Sequence, residues 1–254
     1  MDSVLTLVIN LDRSVERLNR IGRMLDEQGI KWERLPAVEG RALPETQVTQ
    51  FLDVKAFGRR HGMTPLPGEL GCYLSHVNAF KRLLASPCPF ALILEDDVLP
   101  LEDLHSVVSG LVSLPTRWDM VKLSAVHSGT PVACEWLDGK HRLAVMLSRC
   151  TGSSAYLVNR KAAQSYLNGL LPMSLPYDHE FDKAWQYGIK VRRVVPEVAT
   201  HDSHAASTIA VASEAPNRKF HWTMRMPTYR YRLGNELNRV LHGLAQVVKE
   251  RLSR

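Results

Sequence analysis

The chain has 254 residues, of which 45% are apolar, 23% charged and 7% aromatic, values that fit one soluble globular protein of one large or two small domains and exclude a disordered or collagen-like chain. A chain of this length buries roughly 70–75% of its unfolded surface, so the core needs neither disulfides nor metal. The net charge of +6 is uneven: residues 1–214 hold 23 Lys and Arg against 24 Asp and Glu, and residues 215–254 hold 9 against 2, a split that disfavours a uniformly basic nucleic-acid module and predicts no nucleic-acid partner.

The amino terminus has an acid at position 2 and too short an apolar run for a signal peptide or a membrane span, so a cytoplasmic protein is expected. Val4 to Leu11 reads as a strand buried on both faces, with Asp12 placed to cap a helix. That helix presents Val15, Leu18, Ile21 and Leu25 on one face and ends at Gly29. A second strand follows near Trp32 to Leu35. Residues 40–67, broken by Pro44, Gly58, Gly62, Pro65 and Pro67, read as a long binding loop with one helical turn.

Leu70, Tyr73, Leu74, Val77, Phe80 and Leu84 then space a helix. Strands are predicted at Phe90–Leu94, Met120–Ala125, Leu143–Leu147, Ser154–Val158 and Val191–Val195, and helices at Lys161–Leu170 and Asp178–Tyr187. This alternation predicts an α/β domain with a mainly parallel sheet over about residues 1–212. Cys72, Cys88, Cys134 and Cys150 show no zinc-ligand spacing and read as free thiols in a reducing compartment.

The strongest chemical signal is FALILEDDVLP at 90–100, an apolar strand running into Glu95, Asp96 and Asp97. Adjacent carboxylates at a buried strand end raise one another's pKa, and a cation or ligand offsets that cost. Extended backbone would place Glu95 and Asp97 on one face and Asp96 on the other, a hard oxygen pair suited to Mg2+ or Mn2+. The plainer alternative is a solvated acidic turn.

GELGCYLSHVNAF at 68–80 followed by ALILEDDV at 91–98 resembles the paired signature of glycosyltransferase family 25. Weaker blocks follow the family order: VINLDRSVERL at 8–18, LPAVEGRAL at 35–43, VKLS at 121–124, TGSSAYLVNRKAA at 151–163 and YDHEF at 177–181. The resemblance implies a GT-A-like nucleotide-sugar fold, a UDP-hexose donor, galactose foremost, a divalent metal and inversion at the anomeric carbon. It also implies a lipooligosaccharide, lipopolysaccharide or related glycan acceptor. On it, Asp97 is the expected metal ligand, and Glu95 or Asp96 contacts ribose or metal-bound water. His201 or His204 would complete the metal shell. Val38, Glu39 and Gly40 correspond to a donor-side loop, and Ser75 and His76 to a sugar contact, with helix packing as their alternative.

Asn10, Arg13 and Arg17 close the first strand and open its helix, a place suited to a nucleotide or equally to ordinary surface charge. An inverting transfer needs a base, and Asp178 in the late motif is the candidate, with Glu180 as the alternate. Asp178 is also placed to be a helix N-cap. The tail divides from the catalytic domain at residues 215–216. Its basic residues, Trp222, Tyr229 and Tyr231, and a leucine–valine stripe suit an anionic membrane, with packing on the domain as the alternative. Two other functions compete with transfer: metal-dependent nucleotide or phosphate chemistry, and carbohydrate or lipid binding without catalysis.

Overall fold

A computed structural model of the chain describes residues 3–100, 103–127, 129–201 and 218–252. Strand β1 (Val4–Asn10) sends Val4 and Val8 into one hydrophobic cluster and Leu7 and Ile9 into another, as a pleat of period two requires. Helix α1 (Val15–Glu27) packs on the first of these through Ile21 and Leu25. Its N-cap is Ser14 rather than Asp12, because Asp12 pairs with Arg34 on β2 (Glu33–Pro36), and Val15 stands in solvent rather than on the apolar face.

Residues 40–67 are mostly helical, contrary to the loop that their prolines and glycines predict. They form a 3-10 turn at Gly40–Ala42, α2 (Glu45–Phe51) and α3 (Val54–His61). The Asp53 carboxylate accepts from the Ala56 amide at 2.8 Å and caps α3, while Gly62 ends it with φ +78. Val48, Phe51 and Phe57 supply the apolar contacts, spread over helices too short to show a period. Helix α4 (Pro67–Leu84) follows as predicted, its first turn fixed by the Glu69 carboxylate, which accepts from the Leu66 amide at 2.8 Å.

Strand β3 (Phe90–Glu95) repeats the two-faced pattern, with Leu92 and Leu94 in one cluster and Ala91 and Ile93 in the other. Short β4 (Val98–Pro100) and α5 (Leu104–Val112), capped by Asp103, come next. Then come β5 (Met120–Lys122), β6 (Pro131–Trp136), β7 (Arg142–Met146), β8 (Ala155–Asn159) and α6 (Arg160–Leu167). The single helix expected at 178–187 is two, α7 (Tyr177–Phe181) and α8 (Ala184–Tyr187). It breaks because buried Asp182 turns to Lys122 and Arg239 while Lys183 is held by Glu180 at 2.6 Å. β9 (Val191–Val195) and β10 (Ala199–His201) complete the strands among the described residues.

Eight strands form one sheet in the order β2-β1-β3-β8-β5-β9-β7-β6. Six run in one direction and only β8 and β7 run against them, so the mainly parallel sheet read from the sequence carries two antiparallel insertions. Helices α1 and α5 cover one face, and α4, α6 and α7 the other.

Helix α9 (Met226–Leu252) packs against α3, α8, β6 and β7. Its inward face is polar: Arg239 meets Asp182 at 3.0 Å, and Glu250 meets Arg192 at 2.8 Å and Arg117 at 3.1 Å. Its outward face is apolar, with Leu233, Leu241 and Leu252 exposed by 64%, 66% and 83%. No helix among the described residues is long and apolar enough to cross a membrane.

Candidate active site

Parallel β1 and β3 end side by side, with Ile9 opposite Glu95, and beyond their carboxyl ends opens a cavity of about 570 Å³, where open α/β sheets bind ligands. It is lined by Arg17, by the 37–40 segment, by Cys72, Ser75 and His76 of α4, by Glu95, Asp96 and Asp97, by Gly152 to Ser154, and by Tyr177 and Asp178. Ten of the residues singled out in the sequence thus meet in one place.

The acids do not follow extended alternation. Strand β3 stops at Glu95, and Asp96 and Asp97 form a turn before β4, so these two lie together on Arg17 Nη2, at 3.1 and 2.9 Å. Glu95 departs from them: its Oε1 meets His76 Nε2 at 3.3 Å and accepts from Ser153 Oγ at 3.1 Å. Burial pushes the Glu95 carboxyl up, but its bonds to His76 and Ser153 and the Arg17 charge outweigh burial and leave it below the usual range. Asp97 goes the other way, to about 6, because burial and repulsion from Glu95 outweigh Arg17. Asp96 is raised by burial, against the opposing pull of Asn10 and Arg17.

These donors fit a divalent cation. They are hard oxygens, and Asp97 Oδ1 is buried without a hydrogen-bond partner. His201 ends β10 with its backbone opposite Val98, beside the acidic turn, and its side chain lies outside the described part of the chain, as does all of His204.

Asn10 stands behind the cavity wall. Arg13 pairs with Glu39 at the rim, joining the chain just before α1 to the 38–40 loop. That loop is pressed onto α4: a Cβ on Gly40 would lie 1.8 Å from the Pro67 carbonyl oxygen, and one on Gly71 would lie 2.5 Å from that of Val38. Ser75 Oγ completes the junction, accepting from the Val38 amide at 2.8 Å and donating to the Gly71 carbonyl at 2.7 Å. Its hydroxyl proton is therefore already engaged.

His76 is fully buried, stacked on Tyr177 with ring centroids 4.0 Å apart, and its Nδ1 meets the Tyr156 hydroxyl at 2.8 Å. Burial pushes the Cys72 thiol well up, and Glu95, Asp178 and Asp97 add to the shift. Asp178 faces the cavity from α7. The N-cap of α7 is Pro176, without a side-chain hydrogen bond, so Asp178 does not cap it. Glu180 is not brought to the cavity. It is buried against Lys183 at 2.6 Å and accepts from the Tyr187 hydroxyl at 2.7 Å, so its charge is already answered.

Cys72, Ser153, Tyr156 and Tyr177 lie within the motif blocks read from the sequence, but the sequence assigns them no role at this site. Antiparallel β8 carries Ser153 and Ser154 to the end of β3, where the Ser154 carbonyl accepts from the Glu95 amide at 2.8 Å, and an all-parallel reading hides that approach.

Residues 4–181 match the profile of glycosyltransferase family 25, described as an LPS biosynthesis protein. Procollagen galactosyltransferase 1-A of Xenopus laevis is 28% identical over 180 residues, which is 67% of this chain and 29% of that protein. Procollagen galactosyltransferase 1 of Danio rerio is 33% identical over 122 residues, 45% of this chain and 20% of that protein. The matched part is thus under a third of either relative. Among solved structures, a Drosophila β-1,4-galactosyltransferase 7 variant in complex with manganese, UDP-Gal and xylobiose overlaps 86% of this chain and 81% of its own, at 14% identity and a TM-score of 0.39, a likeness too slight to carry an argument.

Proposed function

This chain belongs to glycosyltransferase family 25, and from that membership we propose that it transfers a hexose, galactose foremost, from a UDP-sugar to a hydroxyl of a surface-glycolipid oligosaccharide of the lipooligosaccharide or lipopolysaccharide class. The observation that carries this reading is the single cavity in which Glu95, Asp96 and Asp97 share the walls with Asp178. Asp96 and Asp97 would hold Mn2+ or Mg2+, with His201 as a further ligand, and the metal would supply charge neutralisation for a leaving diphosphate. Arg17 and the 38–40 segment would hold the nucleotide, and Arg13 and Glu39 would fix the rim.

Asp178 would take the proton from the attacking hydroxyl, on the face opposite the leaving group, which gives inversion. Its carboxylate carries no capping duty that would compete. The outward stripe of α9, with Arg230, Lys249 and Arg251 on the exposed surface of that helix, would dock the protein on the anionic cytoplasmic face of a membrane where such an acceptor is built. Screening UDP-sugars for UDP release, with and without Mn2+ and glycolipid acceptors, tests the reading. Metal-dependent release from UDP-galactose supports it, and phosphate release from simple phosphoesters in its place would overturn it.

A further inference from the structure

Four cysteines with no paired spacing predict no cation site of thiolate type, yet Cys72 and His76 stand one turn apart on α4, at i and i+4, where two side chains share a face. The end of β3 brings Glu95 to them. Cys72 Sγ, an imidazole nitrogen of His76 and a carboxylate oxygen of Glu95 all lie within 4.8 Å of one another. Donors around a tetrahedral zinc ion are about 3.3–3.7 Å apart, given metal–ligand distances of about 2.0–2.3 Å. His76 Nε2 and Glu95 Oε1, at 3.3 Å, already have that spacing, and binding requires the half-buried Cys72 side chain to close the remaining gap.

The imidazole is held for such a task. Its Nδ1 meets the Tyr156 hydroxyl at 2.8 Å, that hydroxyl meets the Tyr177 hydroxyl at 3.1 Å, and the ring stacks on Tyr177. This leaves Nε2 as the nitrogen turned to Glu95, and a fixed partner on the far nitrogen is what orients metal-bound histidines. The donor set is also chemically distinct from the acidic turn. Asp96 and Asp97 offer only oxygen to a hard cation, whereas sulfur, nitrogen and oxygen together select a softer one.

We infer that Cys72, His76 and Glu95 form a second cation site in the wall of the cavity, selective for a borderline-soft divalent ion of the zinc class and open to the cavity at its fourth position. Binding releases the Cys72 thiol proton to solvent, shifts the imidazole proton of His76 from Nε2 to Nδ1, where the Tyr156 hydroxyl oxygen accepts it, and replaces the His76–Glu95 hydrogen bond by two bonds to the ion. The inference does not depend on the transferase reading, since it is read without substrate.

The test is titration of the chelator-stripped full-length chain with Co2+, followed by absorbance and displacement with Zn2+. The expected result is a thiolate-to-cobalt charge-transfer band with the intensity of one site, to which any Co2+ held by Asp96 and Asp97 adds nothing. Cys72→Ser should abolish the band and weaken Zn2+ binding by at least about tenfold. Cys88→Ser and Asp97→Asn should keep the band. Glu95→Gln should keep it and lower the affinity, a second reading that does not depend on Cys72→Ser folding. Absence of a band in the unaltered chain, its persistence in Cys72→Ser, or its loss in Asp97→Asn would each overturn the assignment.

Discussion

Asn10 Nδ2 donates to Asp96 Oδ2 at 2.7 Å, tying the end of β1 to the turn that follows β3. The same amide donates to the Ser14 carbonyl at 2.9 Å, and its Oδ1 accepts from Arg34 Nε at 3.0 Å. Asn10→Asp replaces the donor facing Asp96 by a second carboxylate. We expect a loss of about 1–3 kcal/mol, the cost of a buried group without its partner. Urea unfolding should show a greater loss at pH 8 than at pH 5, where the added carboxyl regains its proton. An equal loss at both values would mean that the Asp96 contact contributes little.

Asp97 tests the acidic turn through stability as well as activity. Its carboxyl titrates near 6 in the folded protein against 3.8 in a free chain. A raised folded pKa means that the native state holds the proton between those values, so its contribution to stability falls as pH rises through the window from about 4 to 6. Asp97→Asn should therefore stabilise the metal-free protein at pH 8, by on the order of 1–3 kcal/mol, while abolishing metal-dependent transfer. Thermal melts at both ends of the window decide the first part, and an active variant would remove Asp97 from the metal site.

Asp178→Asn is expected to lower the transfer rate by about 100-fold or more, the scale of a lost general base, with UDP-sugar affinity nearly unchanged. Because Pro176 and not Asp178 occupies the N-cap of α7, the melting temperature should hardly move. Full activity in this variant would leave the cavity without the base assigned to it, since Glu180 is committed to Lys183 and Tyr187.

Deleting residues 216–254 does not test lipid docking cleanly, because it strips Asp182 and Arg192 of Arg239 and Glu250. Leu237→Gln, Leu241→Gln and Leu244→Gln, all on the outward face of α9, leave those pairs in place. Combined, they should abolish sedimentation with anionic vesicles, and the unaltered chain should bind less as salt rises, given screening over about 8 Å at physiological ionic strength. A dimer in light scattering that the same substitutions dissolve would assign the stripe to a second copy.

The buried strands and α4 were legible because each carries its period in adjacent residues. Val4 to Asn10 and Phe90 to Glu95 need no distant partner to declare two buried faces. What stayed hidden depends on pairing across the chain. Nothing near Asp96 announces that it would turn away from Glu95 toward Arg17, since that follows from where α1 lies. Asp178 reads as a base with helix capping as its alternative, and only the backbone shows the cap to be Pro176. The tail disclosed its stripe and its charge, but not that Arg239 and Glu250 face inward, because Asp182 and Arg192 lie far from them in the sequence.

The contact between Gly40 and α4 bears on how a ligand arrives. With the Val38 amide bonded to Ser75 and two glycine backbones in van der Waals contact with the opposing chain, the 38–40 segment loses its conformational freedom during folding. The roughly 1–2 kcal/mol per residue needed to order a backbone is then not subtracted from the affinity of whatever enters beside it. Association at that wall therefore carries no ordering cost for the 38–40 segment.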